Sequence, residues 1–178
     1  MSEYQEHPIV KYSELAYQRR GLIINQVIDL EFYLDRYIAN CLTDTEDKRD
    51  RMCEMVLQGI PLMQKIKIIE NLAYEVDHNL IHSMPTVFKD LERIRKVRNT
   101  MAHTILHVED TFVGNRHKLK PGLVKFNKGK RKPIEYNEKS INELSELIRG
   151  YIVRFMVWRP FYTYVGAPST LPPRKGKK

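Results

Sequence analysis

The sequence predicts a mainly α protein: an antiparallel helical bundle with a small β-hairpin before the last helix and a disordered basic tail. Three observations predict it. Apolar residues recur at spacings of three and four along most of residues 13–103 and again along 141–155. A proline or a capping residue stands near the start of the later stretches. One span, 123–136, gives up that spacing for extended sequence on both sides of a polar turn.

The first helix is expected over about 13–42, where Leu22, Ile23, Val27, Leu30, Leu34, Tyr37, Ile38 and Leu42 form one stripe. The run 43–50, Thr-Asp-Thr-Glu-Asp-Lys-Arg-Asp, is too polar to bury and reads as a solvated connection or as the start of a short helix through Val56. Residues 51–58 stay open between loop and short helix. Pro61 suits a first helical turn, where its missing N–H costs nothing, and Met63, Ile66, Ile69, Leu72 and Ala73 supply the stripe of a second helix ending near Asp77. Pro85 opens a third, with Ser83 as cap and Phe88, Leu91, Ile94, Val97 and Met101 on its apolar face, running to about His103. Beyond it Ile105, His107 and Val-Glu-Asp-Thr-Phe read as extended chain, and 123–126 faces 133–136 across the turn 127–131. Asn137 or Ser140 caps the last helix, Ser140 with Glu143 matching a capping box, and Ile141, Leu144, Leu147, Ile148, Ile152 and Phe155 form its core face. Residues 1–165 are expected to form one domain, and 166–178 a tail too polar and proline-rich to order itself.

Composition narrows the function classes. The formal charge of +8 and pI near 9.4 favour a polyanionic partner, because cations that neutralise phosphates release condensed counterions. Arg174, Lys175, Lys177 and Lys178 carry half of that excess in the tail, which weakens the inference for the folded part. Two cysteines, Cys41 and Cys53, are too few for a disulfide scaffold and fit buried thiols in a reducing compartment. Residues 1–11 lack the apolar core of a secretory signal, and Glu31, Asp35 and Arg36 interrupt the longest hydrophobic stretch, so a cytoplasmic protein with no membrane contact is expected. His78, His82, His107 and His117 lack metal-site spacing; no metal and no cofactor are expected.

The chemistry-bearing run is Arg98-Asn99-Thr100-Met101-Ala102-His103 at the end of the third helix. Arg98 and His103, five residues apart, are rotated by roughly 140° on an α-helix and do not share a face. Asn99 and His103 do share one, with Arg95 a turn back. An Arg and a His near a helix C-terminus are also what macrodipole complementarity selects, so the run alone does not separate a site from a charged helix end.

Taken with the helix order around it, over roughly 13–158, this run resembles the HEPN superfamily, whose ribonucleases carry an Arg, a polar residue directly after it, and a His four to six positions on. Lys65-Ile66 and Leu30-Glu31 also sit in contexts similar to those of related domains. The resemblance implies metal-independent RNA cleavage by attack of a ribose 2′-hydroxyl on the adjacent phosphorus. It assigns His103 as general acid or base, Arg98 to phosphate stabilisation and Asn99 to orientation; Glu31 or Asp35 either orients Arg98 from the helix packed beside it or is part of a solvated face, and Arg95, by its spacing on the Asn99 face, is a further accessory group. It further implies a homodimer with the motif helices around one cleft, a bacterial toxin or defence setting, and an antitoxin or regulatory partner. Some HEPN toxins have a tyrosine two residues after the histidine that a partner nucleotidyltransferase modifies; here Ile105 stands there, which argues against that mode of control. The basic turn with Lys128, Lys130, Arg131 and Lys132 offers phosphate contacts along an RNA path or is a solvated loop. Two alternatives stay open: a non-catalytic HEPN module that binds nucleic acid or protein, and a structural helical subunit.

Overall fold

The structure, a computed structural model, describes the backbone of residues 8–113, 116–127, 130–135 and 138–160, and the side chains of residues 10, 13–104 and 138–160. The described chain is mainly helical. In order it forms α1 (Pro8–Leu42), α2 (Glu46–Met52) continued by a π-helical turn (Cys53–Leu57), α3 (Leu62–Glu75), α4 (His78–Ser83), α5 (Val87–Ala102), β1 (Ile105–Val113), β2 (Arg116–Asn127), β3 (Lys130–Glu135) and α6 (Glu138–Val157). No helix among the described residues is long and apolar enough to cross a membrane.

Cα packing divides the chain into two compact units. One comprises Met1–Asp29 and Lys96–Gly150. Its core takes Ala16, Ile23 and Val27 from α1, Met101 from α5, and Ile141, Leu144 and Ile148 from α6, all buried. Full burial of an aliphatic side chain of this size contributes about 1.5–3 kcal/mol, and these residues hold the three helical segments together. Polar ties add to it: Ser145 Oγ donates to Gln26 Oε1 (3.0 Å), and Arg19 pairs with Glu138 (2.6 Å). The three strands form an antiparallel sheet in the order β1-β2-β3, with Ile105 opposite Val124 and Leu123 opposite Ile134. Pro133 lies on edge strand β3, and Pro121 lies where β2 has a neighbour on one side only, positions where a sheet tolerates a residue without an N–H.

The second unit comprises Leu30–Arg95 and Tyr151–Lys178. Leu30, Leu34, Tyr37 and Ile38 pack in its interior with Ile66, Ile69 and Ala73 of α3, Leu80 of α4, Leu91 and Ile94 of α5, and Tyr151 and Phe155 of α6. Tyr37 meets the Phe155 ring edge-on at 5.6 Å, the arrangement the ring quadrupoles favour.

Several expectations need correction. Leu22, Leu42 and Met63 are 50%, 52% and 41% exposed. Each is the immediate neighbour of a buried residue, Ile23, Cys41 or Leu62, and one step along a helix turns a side chain by about 100° away from the core. The polar run 43–50 is solvent-facing as expected, and of its two readings the short helix holds: Thr45 caps α2, Glu46 and Asp47 occupy its first turn, and no residue of α2 is buried. The π-helical turn, closed by Gln58 N–H to the Cys53 carbonyl (3.0 Å), directs Leu57 into the core and leaves Met55 outside. α4 was not expected, and Ser83 is its last residue rather than the cap of α5. Thr86 precedes α5 instead: its carbonyl accepts from Asp90 N (3.0 Å), and its hydroxyl donates to the Asp90 side chain (Oδ2, 2.8 Å) rather than accepting from a first-turn N–H. α6 starts at Glu138, so Ser140 is inside the helix, and Asn137 lies outside the described residues, as does the tail 166–178.

Candidate functional site at the end of the fifth helix

α5 ends at Ala102, and His103 is the first residue past it, still tied back by its N–H to the Asn99 carbonyl (3.1 Å). The helix stops where the chain turns into β1, and burial on both sides fixes that turn. Met101 and Thr104 are 1% and 3% exposed, whereas His103 between them is exposed. The imidazole therefore faces solvent from an anchored backbone.

Arg98 is half-buried, and its Nη1 donates to Asn99 Oδ1 (3.3 Å). Its Nε is buried without a hydrogen-bond partner, and no carboxylate among the described residues pairs with it. Of the five N–H donors of a guanidinium, the one on the buried Nε is shielded from solvent, so it is the donors on the two Nη atoms beyond the Asn99 bond that are open to an anion. Asn99 touches both other motif residues, Arg98 through its side-chain oxygen and His103 through its carbonyl. Thr100 donates its hydroxyl to the Lys96 carbonyl (3.0 Å) and is spent within the helix.

A residue that was not expected completes this end. Arg20, from α1, donates Nη2 to the Ala102 carbonyl (3.2 Å) and Nη1 to the Thr104 carbonyl (3.0 Å). The two bonds straddle His103. One planar guanidinium thus satisfies a terminal carbonyl of α5, places a cation at the negative end of its dipole, and fixes the backbone on both sides of the histidine.

The accessory candidates are engaged elsewhere in the second unit. Arg95 binds Glu92 Oε2 through Nη2 (2.9 Å) and Nε (3.1 Å). Asp35 Oδ2 accepts from Lys65 Nζ at 2.7 Å, and Glu31 Oε2 lies 3.9 Å from the same ammonium. Lys65 is 3% exposed, and these carboxylates offset its charge. Burial pushes the Asp35 carboxyl above the usual range, against the pull of Lys65, and its Oδ1 has no hydrogen-bond partner. In the same unit the fully buried Asp77 accepts from Trp158 Nε1 (2.7 Å) and Tyr37 Oη (3.2 Å), which fastens the chain end after α6 to the start of α4. Burial raises the Asp77 carboxyl too, and raises the Cys41 thiol to about 12, leaving that cysteine protonated and inert near neutral pH.

His78 donates to the Tyr74 carbonyl (2.9 Å), and His82 is exposed. No cluster among the described residues has the composition to hold a metal ion. Lys130, Arg131 and Lys132 lie on β3, with side chains outside the described residues; Lys128, His107 and His117 likewise carry no described side chain. No protein-family model matches the chain, and no curated protein or solved structure shows significant similarity to it.

Proposed function

We propose that the end of α5 is the active site of a HEPN-type endoribonuclease that cleaves RNA without a metal ion. The observation that carries this reading is the state of the two motif residues. Among the described residues Arg98 has uncommitted donors and no paired carboxylate, and His103 is exposed on a backbone held at Ala102 and Thr104. An enzyme that stabilises a developing phosphorane needs fixed cationic donors and a mobile proton, and these are the groups that supply them. In the proposed step a base removes the ribose 2′-hydroxyl proton, the 2′-oxygen bonds to phosphorus, the bond to the 5′-oxygen breaks, and that oxygen takes up a proton. The products are a 2′,3′-cyclic phosphate and a 5′-hydroxyl. His103 performs one of the proton transfers, Arg98 binds the non-bridging oxygens, and Asn99 holds Arg98 in place.

The second proton-transfer group comes, in this proposal, from a second copy of the chain, with the two α5 ends about a twofold axis. The setting is that of a bacterial toxin or defence nuclease with an antitoxin or regulatory partner. Light scattering should then give about twice the chain mass of 21.1 kDa. With excess EDTA present, wild-type protein should cleave labelled RNA, and Arg98→Ala and His103→Ala should each lower the rate by at least about a hundredfold. His103→Ala should leave unfolding within about 0.5 kcal/mol of wild type, because the side chain is exposed. RNA bound but uncut by wild-type protein would favour the non-catalytic module; cleavage that persists in both variants would discard the site.

A further inference from the structure

The second unit carries a pair of adjoining concavities that the cleavage site does not use. One, of about 790 Å³, runs along the C-terminal end of α1 past α2 to Arg159 and Pro160, with Lys48 and Arg49 on its wall. The other, of about 380 Å³, lies beside Phe32, Tyr33 and Arg36. They share one edge, made of Asn40, Arg49 and Arg159. Each volume falls in the range of a ligand site.

The polar groups on this edge are prepared unequally. Arg49 is half-buried and fixed: Nη1 donates to Asn40 Oδ1 (3.1 Å) and Nε to the Thr45 carbonyl (3.3 Å), leaving Nη2 without a bond and the cation without a paired carboxylate among the described residues. Arg159 is exposed, and its hydrogen bonding among the described residues is a long contact to the Trp158 carbonyl (3.5 Å). The other cations here are committed, Lys48 to Asp44 and Arg36 to Asp50. With Lys48 and Arg36 paired to Asp44 and Asp50, the positive charge left on the walls is that of Arg49 and Arg159 on the shared edge, opposed by Glu46. Phe32 is 55% exposed and Tyr33 is half-buried, their rings edge-on at 5.2 Å. An exposed aromatic pair beside uncommitted guanidinium groups offers a stacking platform and phosphate donors together.

We propose that this double groove binds single-stranded RNA, its phosphates on Arg49 and Arg159 and an unpaired base against Phe32. A linear polyanion accounts for two concavities meeting at a cationic edge, and an unpaired base accounts for the exposed ring. RNA rather than another single-stranded polyanion is chosen because the cleavage reading above supplies it, and to that extent the inference rests on that reading.

The test is fluorescence anisotropy of a labelled, unstructured RNA strand across a salt series, with His103→Ala protein so that the probe survives. Removing both edge arginines, Arg49→Ala with Arg159→Ala, should weaken binding about tenfold near 0.15 M salt and lower the log–log salt slope by about 1.4, two phosphates at about 0.7 each. Arg159→Ala alone, a change at an exposed side chain, should lower the slope by about 0.7 and keeps the test valid if the Arg49 variant misfolds. Phe32→Ala should weaken binding at least about fivefold with the slope unchanged, because stacking releases no counterions. Unchanged affinity and slope in the arginine variants, or duplex RNA competing as well as the single strand, would overturn the groove assignment. Failure of wild-type protein to cleave RNA would refute the cleavage reading and leave these binding outcomes to be judged separately.

Discussion

Replacing Arg20 by alanine is the sharpest perturbation of the α5 terminus, since one side chain there holds two carbonyls. A hydrogen bond from a charged donor contributes about 1.5–3 kcal/mol, but Arg20 is partly exposed and its two bonds share one group, so the low end applies. The cation at the helix C-terminus adds about 0.3–1 kcal/mol, and freeing the arginine rotamers returns up to about 2 kcal/mol. The net expectation for Arg20→Ala is a loss of about 2–3 kcal/mol in urea unfolding with the denaturant slope unchanged. Arg20→Lys should recover less than half, because a point ammonium does not span the carbonyls on both sides of His103. Exchange at the His103 and Thr104 amides should accelerate in both variants. If His103 acts in cleavage, the displaced backbone should also cost about tenfold to a hundredfold in rate, with substrate affinity nearly kept. Stability within about 0.5 kcal/mol of wild type, with unaltered amide exchange, would show that Arg20 does not hold this turn.

Three further predictions concern the buried ionisable groups. Asp77→Ala strands the Tyr37 hydroxyl and the Trp158 indole N–H, at about 1–3 kcal/mol each, and should be measurable as a loss of roughly 3–5 kcal/mol by denaturant unfolding. Burial raises the Asp77 and Asp35 carboxyls, so between the ordinary value of 3.8 and their folded values the native state binds more protons than the unfolded state. Their contribution to stability therefore falls as pH rises through that window, and Asp77→Asn should flatten part of the slope; an identical slope in the variant would refute the assignment. Lys65→Ala leaves Asp35 buried without its cation and should cost about 3–5 kcal/mol, whereas Lys65→Met with Asp35→Leu should recover most of it; a double variant no better than the single would show that the pair is not a self-contained unit.

How far the sequence could be read depends on what each element's signal was made of. α3, α5 and α6 announce themselves through long apolar stripes, and Ile66, Ile69, Leu91, Ile94, Ile141, Leu144 and Ile148 are buried where that periodicity put them. α2 has no stripe because it has no buried residue; its signal is local, a Thr45 cap before Glu46 and Asp47, and polarity forecast its exposure while leaving its conformation open between loop and short helix. α4, six residues between Asp77 and Met84, is too short to show a period at all.

At the candidate site, the residue types of 98–103 could be singled out in the sequence, but the support of the turn around His103 could not, although a signal existed in the same periodicity. Arg20 stands four residues after Ala16 and three before Ile23, on the stripe that those buried residues define. Lys65 stands likewise three after Leu62 and four before Ile69. A charged residue at a core position is costly unless a partner meets it, so both positions call for a partner on sequence grounds alone. The partners differ in a way that periodicity does not encode: Lys65 finds carboxylates, and Arg20 finds two main-chain carbonyls. Backbone acceptors leave no trace in side-chain identity, and for that reason a pairing of Asp35 with Lys65 can be guessed from composition, whereas the grip of Arg20 on the turn around His103 needs the path of the chain itself.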